Sequence, residues 1–195
     1  NVSVLLGHEW YKNTNEHLYA TKSYMFLPDA TELAGAIIDG SPGSYSTMYN
    51  NEGWLGRAQY DLDSKYFVSA SFRRDASSRF HPDHRWGNFW SAGVAYLISK
   101  EDWFTAQWVD LLKIKVSYGE QGNDNIGDFR YIDTYDLVNA DGTPSVTPRA
   151  KGNETITWEK GGNFNAGVEF ELFNTRLMGS FEGFYRKTSD MLMYF

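Results

Sequence analysis

Residues 111–121 read LLKIKVSYGEQ, and this stretch decides the fold class. From Leu112 to Tyr118, apolar side chains occupy every second position, and the positions between them are polar or small. A period of two is typical of a β-strand, because successive side chains leave opposite faces of the strand. Lys113 and Lys115 share one face, so the pattern predicts a strand with one wet side and one dry side.

Six further segments repeat this alternation, which predicts an all-β protein with seven strands. The predicted strands span residues 2–11, 53–62, 66–73, 86–97, 111–121, 163–172 and 176–186. Pro28 and Asp29 introduce a segment that predicts a short helix over 29–38. A helical turn is expected within 99–110, and a small additional strand is expected at 131–138.

Two short turns predict how neighbouring strands pair. A two-residue loop at Asn174 and Thr175 pairs apolar with apolar residues on one face, and a three-residue turn at 63–65 does the same for its own strands. A shift of one residue would place charges among the aromatic side chains, so the turns predict an antiparallel up-and-down meander. The predicted pairs are Leu172–Leu177, Phe170–Gly179, Val168–Phe181, Phe164–Tyr185, Glu169–Ser180, Leu62–Tyr66, Tyr60–Val68, Ala58–Ala70, Gln59–Ser69 and Arg57–Ser71.

The composition excludes several classes of protein. The 195 residues have a mean hydropathy of −0.51 and contain no apolar run of the length that a transmembrane helix requires. There is no cysteine, which excludes disulfides, cysteine-based zinc sites and thiol catalysis. A net charge of −7 argues against nucleic acid or anionic lipid as the main partner. Aromatic residues make up 17% of the chain, which is high for a soluble domain and typical of a membrane interface.

Two architectures fit amphipathic strands: a membrane barrel, or a soluble carbohydrate-binding β-sandwich in which the dry faces pack together. The connections favour the barrel. The short turns at 63–65 and 174–175 fall at one edge of the meander, and the long loops at 12–46 and 122–157 fall at the other. That asymmetry is typical of outer-membrane barrels, although the connection at 99–110 is longer than the pattern predicts.

Four segments, taken in order, carry a family resemblance. They are RRDASSRF (73–80), LKIKVSYGEQGNDNIGDF (112–129), TWEKGGNFNAGVEFELF (157–173) and FYRKTSDMLM (184–193). They resemble the SusC/RagA family of TonB-dependent transporters of Bacteroidetes outer membranes. The resemblance implies that residues 1–195 form part of a large transmembrane β-barrel, which has roughly 22 strands in plugged transporters. The plug domain and the TonB box are absent from this sequence, which we therefore interpret as a fragment.

The resemblance also implies a function in the bacterial outer membrane. Family members import oligosaccharides, or peptides in some cases, with energy relayed through TonB. The expected partners are a SusD-like surface lipoprotein, TonB (through segments absent here), outer-membrane lipid and a glycan or peptide substrate. No cofactor, nucleic acid or enzymatic activity is expected.

Candidate site residues follow from the two faces and the loops. The polar side chains predicted to face the lumen are Arg57, Gln59, Ser69, Ser71, Lys113, Lys115, Asn165 and Glu169. Loops at a barrel mouth contact substrate, so the ligand candidates are Tyr45, Tyr49, Tyr131 and Tyr135. Most of the tryptophans are interpreted as interface or packing residues.

Three other groupings suggest chemistry but have simpler interpretations. Glu169, Glu171 and Glu182 would suit a glycoside hydrolase, yet lumen-facing acids explain them better. The Asn and Asp residues of 123–128 miss the spacing of a calcium loop and fit turn chemistry. His81 and His84, with their acidic neighbours, are interpreted as part of an exposed tight loop rather than a metal site.

Overall fold

The computed structural model describes residues 1–193, which divide into two compact units: residues 1–11 together with those from 51 onward, and residues 12–50. Strands dominate both units, and the only helical elements described are the 3₁₀ turns Leu33–Gly35 and Ile98–Lys100. No described helix has the length and apolar character needed to cross a bilayer. The strands are β1 (Val2–Tyr19), β2 (Lys22–Met25), β3 (Ala36–Asp39), β4 (Gly43–Leu62), β5 (Tyr66–Ser77), β6 (Trp86–Leu97), β7 (Val109–Asn123), β8 (Thr134–Ala140), β9 (Thr143–Ala150), β10 (Glu159–Leu172) and β11 (Leu177–Ser189).

Seven of these strands form one sheet in the order β1-β4-β5-β6-β7-β10-β11. The pairings from β4 through β11 are all antiparallel. Within the described residues the sheet does not close on itself, and two small hairpins, β2–β3 and β8–β9, accompany it. The predicted antiparallel meander is confirmed.

The predicted register is also confirmed in both hairpins. Leu62 lies opposite Tyr66, and every predicted pair between β4 and β5 is present. Leu172 lies opposite Leu177, with the predicted pairs between β10 and β11 following from it. The turn between β10 and β11 has positive φ at Phe173, Asn174 and Thr175.

Positive φ is unfavourable for residues other than glycine, so this turn needs outside support. The support comes from the connection that precedes β7. The amide of Phe173 donates to the carbonyl of Trp108 at 2.9 Å, and the amide of Thr175 donates to Oδ2 of Asp110 at 3.0 Å. The rings of Phe173 and Trp108 stack with their centroids 5.9 Å apart. The long connection therefore braces the tight turn beside it.

Three sequence predictions were wrong or incomplete. The helix predicted over 29–38 is instead a 3₁₀ turn followed by β3, because Ala36–Asp39 pairs with β2. The strand predicted at 131–138 is half of the hairpin β8–β9. Its second strand was not predicted, because it contains Pro144 and Pro148 and proline is unusual in strands. Only one turn of 3₁₀ helix, Ile98–Lys100, forms near the connection at 99–110.

Strand lengths were also underestimated at the long-loop edge. β1 continues to Tyr19, β4 begins at Gly43, and β10 begins at Glu159. The segments 12–46 and 122–157 therefore contain strand extensions and hairpins as well as irregular stretches such as 124–133. These extensions lack strict alternation, which is why a pattern based on a period of two ends too early.

The dry face of the sheet, called the apolar face below, is open. Phe72 is 51% exposed, Trp90 46% and Phe181 74%. No second layer of protein covers these side chains in the part of the chain that the structure describes. The β-sandwich alternative requires such a layer, so the structure does not support it.

Candidate functional site: the polar face and its rim

The polar face of the sheet forms a trough. Two adjoining concavities of about 650 and 660 Å³ lie along it, the first lined by residues from β1 to β11 and the second by residues from β5 to β10. All eight residues predicted to face a lumen lie on this face, because the register aligns their odd-numbered positions from strand to strand. That the trough lines a channel stays a prediction.

Small side chains form the middle of the trough. Ser69, Gly93, Ser117 and Asn165 follow one another across four strands in a single row. In the next row the hydroxyls of Ser71 and Ser91 hydrogen-bond at 2.7 Å. Short polar side chains keep the concave side open while leaving hydrogen-bonding groups at its surface.

A cluster of charged side chains crosses the part of the trough that lies towards the short-turn edge. Lys113 donates to Glu169 at 3.1 Å, and Lys115 donates to the other oxygen of the same carboxylate at 2.8 Å. Lys115 also forms an ion pair with Glu182, two strands away. Because Lys115 bridges both carboxylates, they form one charge cluster rather than a separated pair of catalytic acids.

Gly167 makes this bridge possible. It lies between Lys115 and Glu182 in the register, so the lysine must cross over it. A Cβ at this position would lie 3.0 Å from Cγ of Glu182 and 3.1 Å from Cε of Lys115. A side chain here would occupy the space that the ion pair uses.

At the long-loop edge, the trough ends in a small buried core that we call the rim core. It consists of Phe80, Phe89, Ile126 and Trp158, each at most 5% exposed, with Ile156 and Leu192 packed against it. Phe89 belongs to β6, and the other three come from the connections 78–85 and 124–158. These connections therefore fold over the end of the trough and pack against the wall.

Polar contacts lock the same connections together. The buried hydroxyl of Ser77 donates to Asp124 at 2.6 Å. Arg79 donates to Asp128 at 3.3 Å and to the backbone carbonyl of Asp124 at 3.2 Å. The indole of Trp158 donates to the carbonyl of Arg85 at 2.8 Å. The acids considered as calcium ligands thus bind a serine and an arginine, and no group of three potential metal ligands is gathered anywhere in residues 1–193.

Sequence reasoning missed the rim core, although its signal was present. RRDASSRF supplies Arg79 and Phe80, NDNIGDF supplies Asp124 and Ile126, and TWEKGG supplies Trp158. These are segments that carry the family resemblance. Their common location explains the resemblance physically: they form one packed unit although they are far apart in sequence.

The four tyrosines proposed as ligand contacts belong to different units. Tyr131 and Tyr135 lie beyond β7, with the ring of Tyr131 edge-on to His81 at 5.9 Å and Tyr135 56% exposed. Tyr45 and Tyr49 belong to the unit of residues 12–50, where Tyr45 stacks on His17 at 5.0 Å. Neither Tyr131 nor Tyr135 lines the trough, and the role of all four tyrosines in binding stays a prediction.

The short-turn edge carries a second polar cluster. Glu101 accepts a hydrogen bond from Tyr66 at 2.6 Å and one from Lys65 at 3.2 Å. Tyr66 stacks on Tyr96 at 4.9 Å on the apolar face. The hydrogen bond from Tyr66, together with that from Lys65, lowers the pKa of the Glu101 carboxyl below its usual range. Aromatic rings with polar tips are typical of the border between an apolar band and water.

Comparisons with known proteins now decide the family. The sequence profile described as "TonB dependent receptor-like, beta-barrel" matches residues 2–195. The chain belongs to this family. Members are outer-membrane receptors and transporters rather than enzymes.

Individual TonB-dependent receptors agree with this assignment. The chain is 35% identical over 159 residues to the TonB-dependent receptor SusC of Bacteroides thetaiotaomicron, covering 76% of this chain and 16% of SusC. It is 34% identical to the TonB-dependent receptor P39 of Formosa agariphila, covering 77% of this chain and 15% of that protein. The chain thus spans about a sixth of the length of these relatives.

Solved structures of the same family match the fold. A structure of the RagAB peptide transporter superposes with a TM-score of 0.90 at 26% identity, covering 97% of this chain and 22% of that one. The RagAB peptide importer in its "open-open" state gives a TM-score of 0.87 at 25% identity, covering 96% of this chain and 21% of that one. The meander described above is therefore a fold found within much larger TonB-dependent barrels.

Proposed function

We propose that this chain forms part of the wall of an outer-membrane, TonB-dependent importer of oligosaccharide or peptide nutrients. The observation that carries the proposal is the contrast between the two faces of one sheet. One face is a trough of small polar and charged side chains, and the other exposes large aromatic and aliphatic side chains. A barrel wall in a bilayer needs this distribution, with water inside and lipid outside.

The dimensions of the apolar face support a bilayer. On β5 its side chains run from Tyr66 to Phe72, and Arg74 follows as the first charged residue. This stretch, from Tyr66 to Arg74, is nine residues long. A tilted transmembrane β-strand needs about 9–11 residues. The Tyr66–Glu101 cluster and the tryptophans near Arg74 then mark the two borders of the band.

The substrate class and the partners rest on the relatives. SusC is a TonB-dependent receptor, and RagAB is a peptide transporter. By analogy, the parent protein takes up an oligosaccharide or a peptide, receives energy through TonB and works with a SusD-like surface lipoprotein. Tyr131, beside His81 near the rim core, and Tyr135 are the proposed substrate contacts of this unit. Tyr45 and Tyr49 are those of the unit at 12–50.

Cysteine labelling tests which face meets water. The chain contains no cysteine, so single cysteines can be introduced into a parent protein made cysteine-free. Ser69→Cys and Ser71→Cys lie on the polar face of β5, and Val68→Cys and Phe72→Cys lie on its apolar face. In bilayers, a water-soluble maleimide should label the first pair, and a lipid-dissolved quencher should reach a fluorophore on the second pair.

Ser71 and Phe72 are adjacent on one strand, as are Val68 and Ser69. A difference in labelling within either pair therefore reports the face and not the position along the strand. Equal labelling of Phe72→Cys and Ser71→Cys by the water-soluble reagent would contradict the proposal. So would a parent protein that stays monodisperse in buffer without detergent. Uptake of labelled oligosaccharides and peptides by cells, with and without the parent gene, then decides between the two substrate classes.

A further inference from the structure

One charged side chain, that of Arg74, lies on the apolar face of the sheet. Arg74 belongs to the apolar face of β5, because it follows Val68, Ala70 and Phe72 at every second position. Its register partners are Trp54 on β4 and Asn88 on β6. Its neighbour Arg73 points to the polar side and binds Asp75 at 2.7 Å. The two adjacent arginines therefore face opposite environments.

The guanidinium of Arg74 has no acidic partner in the described part of the chain. Instead it lies over the ring of Trp86, with Cζ of Arg74 at 4.9 Å from the ring centroid. On the same face, the carboxylate of Glu52 accepts from the indole of Trp54 at 3.1 Å and contacts His8 at 3.2 Å. Arg73, on the polar face, is paired with the carboxylates of Glu9 and Asp75, whereas the positive charge of Arg74 has no such pairing within residues 1–193.

Aromatic rings surround this charge. Trp86 is 37% exposed and stacks beneath the guanidinium, and Trp54 is 53% exposed on the neighbouring strand. His8 lies against Trp54, with ring centroids 4.1 Å apart. A stacked arginine keeps its planar donors in position, so less conformational freedom is lost when it binds an anion.

We infer that Arg74 and Trp86 form a binding site for the phosphate of an anionic lipid headgroup at the long-loop border of the apolar band. The inference rests on the proposed function, since it requires that this face meets lipid. A guanidinium at the border between hydrocarbon and water presents its donors at the depth of headgroup phosphates. Its fork of N–H groups matches two phosphate oxygens, and the indole provides an apolar surface beside the lipid glycerol and upper acyl chains.

The test uses the full-length parent protein in dodecyl maltoside micelles. Phosphatidylglycerol is the anionic probe and phosphatidylcholine is the zwitterionic comparison, and native mass spectrometry counts the lipids that stay bound. Arg74→Gln should weaken the binding of phosphatidylglycerol about fivefold, the size expected for one cation near an anionic headgroup. Arg74→Lys keeps the charge but loses the stacked fork, so its affinity should lie between those of the wild type and Arg74→Gln.

Arg149→Gln is the matched control. Arg149 is an exposed arginine of β9 with Asp136 as a partner, and it lies outside the seven-stranded sheet. Its substitution should leave lipid binding unchanged. Unchanged binding in Arg74→Gln would overturn the inference, as would full displacement of the lipid by sodium phosphate but not by sodium chloride at equal ionic strength. The second result would identify a site for free phosphate instead.

Failure of this inference differs from failure of the proposed function. If cysteine labelling shows that the apolar face meets lipid while Arg74→Gln binds phosphatidylglycerol normally, only the headgroup site is wrong. If Phe72→Cys is freely labelled from water, the membrane location itself is wrong, and the lipid site is rejected with it.

Discussion

The rim core and the apolar face are both built from aromatic side chains, yet the protein treats them in opposite ways. Phe80 in the rim core is fully buried, whereas Phe181 on the apolar face is 74% exposed. Trp158 donates its indole proton to the backbone carbonyl of Arg85, whereas Trp90 lies open beside Tyr118. Loops of the same chain cover the rim core, whereas no part of residues 1–193 covers the apolar face.

Under the proposed function, this difference follows from the solvent that each region meets. Apolar side chains stabilise a fold in water only when protein removes them from it. A face that leaves many of them exposed is stable only if another apolar medium covers it, and a bilayer provides that medium. The rim core instead buries its apolar side chains within the protein, as a small soluble domain does, although it lies at the end of a wall that we propose to lie in lipid.

The largest expected effect comes from breaking the rim core. Trp158→Ala should destabilise the connections at 78–85 and 124–158 by about 3–5 kcal/mol, because it leaves a cavity in the rim core. It also removes one of the two hydrogen bonds to the carbonyl of Arg85, which keeps the one from the amide of Ser77. Hydrogen exchange of these connections in the detergent-solubilised parent protein measures the loss.

Trp90→Ala is the matched control on the apolar face. It removes the same side chain where detergent or lipid fills the space, so the exchange of the rim connections should stay as in the wild type. A loss of protection there as large as that in Trp158→Ala would remove the contrast between the two regions.

The second effect comes from placing a charge on the apolar face. Ala70 lies midway between Tyr66 and Arg74, the two ends of the apolar band on β5, so Ala70→Arg should weaken folding into bilayers by about 2–4 kcal/mol. Ser71→Arg adds the same side chain to the polar face, where water solvates it. Urea titration of the protein in lipid vesicles compares the two, and equal destabilisation would mean that the faces do not meet different solvents.

The register and the faces were predictable because both depend on local pattern. The turn at Asn174 and Thr175 and the alternation around Phe170 leave only one pairing that keeps charges away from aromatic rings. The hairpin β8–β9 was half missed because Pro144 and Pro148 are unusual in strands. The helix expected at 29–38 failed because pairing with β2 outweighed a local helix-start signal.

The rim core was not predictable from pattern, because its contacts join residues far apart in the chain. Ser77 and Asp124 are 47 positions apart, and Trp158 is 73 positions from Arg85. Nothing in the period of a strand indicates that a loop folds back over the wall. Likewise, the alternation placed Lys115 and Glu169 on one face but did not show that Gly167 allows Lys115 to reach Glu182.

A third, smaller effect concerns that bridge. Lys115→Met should leave the thermal midpoint of the parent protein nearly unchanged, since partly exposed ion pairs contribute little to stability. It should reduce the dependence of that midpoint on salt, because two ion pairs are lost together. Lys113→Met removes a single pair and should show a smaller change. A large fall in the midpoint for Lys115→Met would show that the cluster is a structural element.

The smallest effect is a pH dependence at the short-turn edge. Because the pKa of Glu101 is lowered in the folded protein, its contribution to stability is present above the ordinary carboxyl value of about 4.3 and is lost as pH falls through the lower folded value. Glu101→Gln should therefore flatten the acidic end of a plot of thermal midpoint against pH. An identical acidic slope in the variant would exclude Glu101 as its cause.

The row of short side chains at Ser69, Gly93 and Ser117 has a consequence for how such a pore evolves. These positions contribute little bulk, and the strand pairing beneath them rests on the backbone. A longer side chain at Ser69 or Ser117 would narrow the trough without altering the hydrogen-bonded ladder. The width of the trough can thus change one residue at a time while the strand pairing of the sheet is kept.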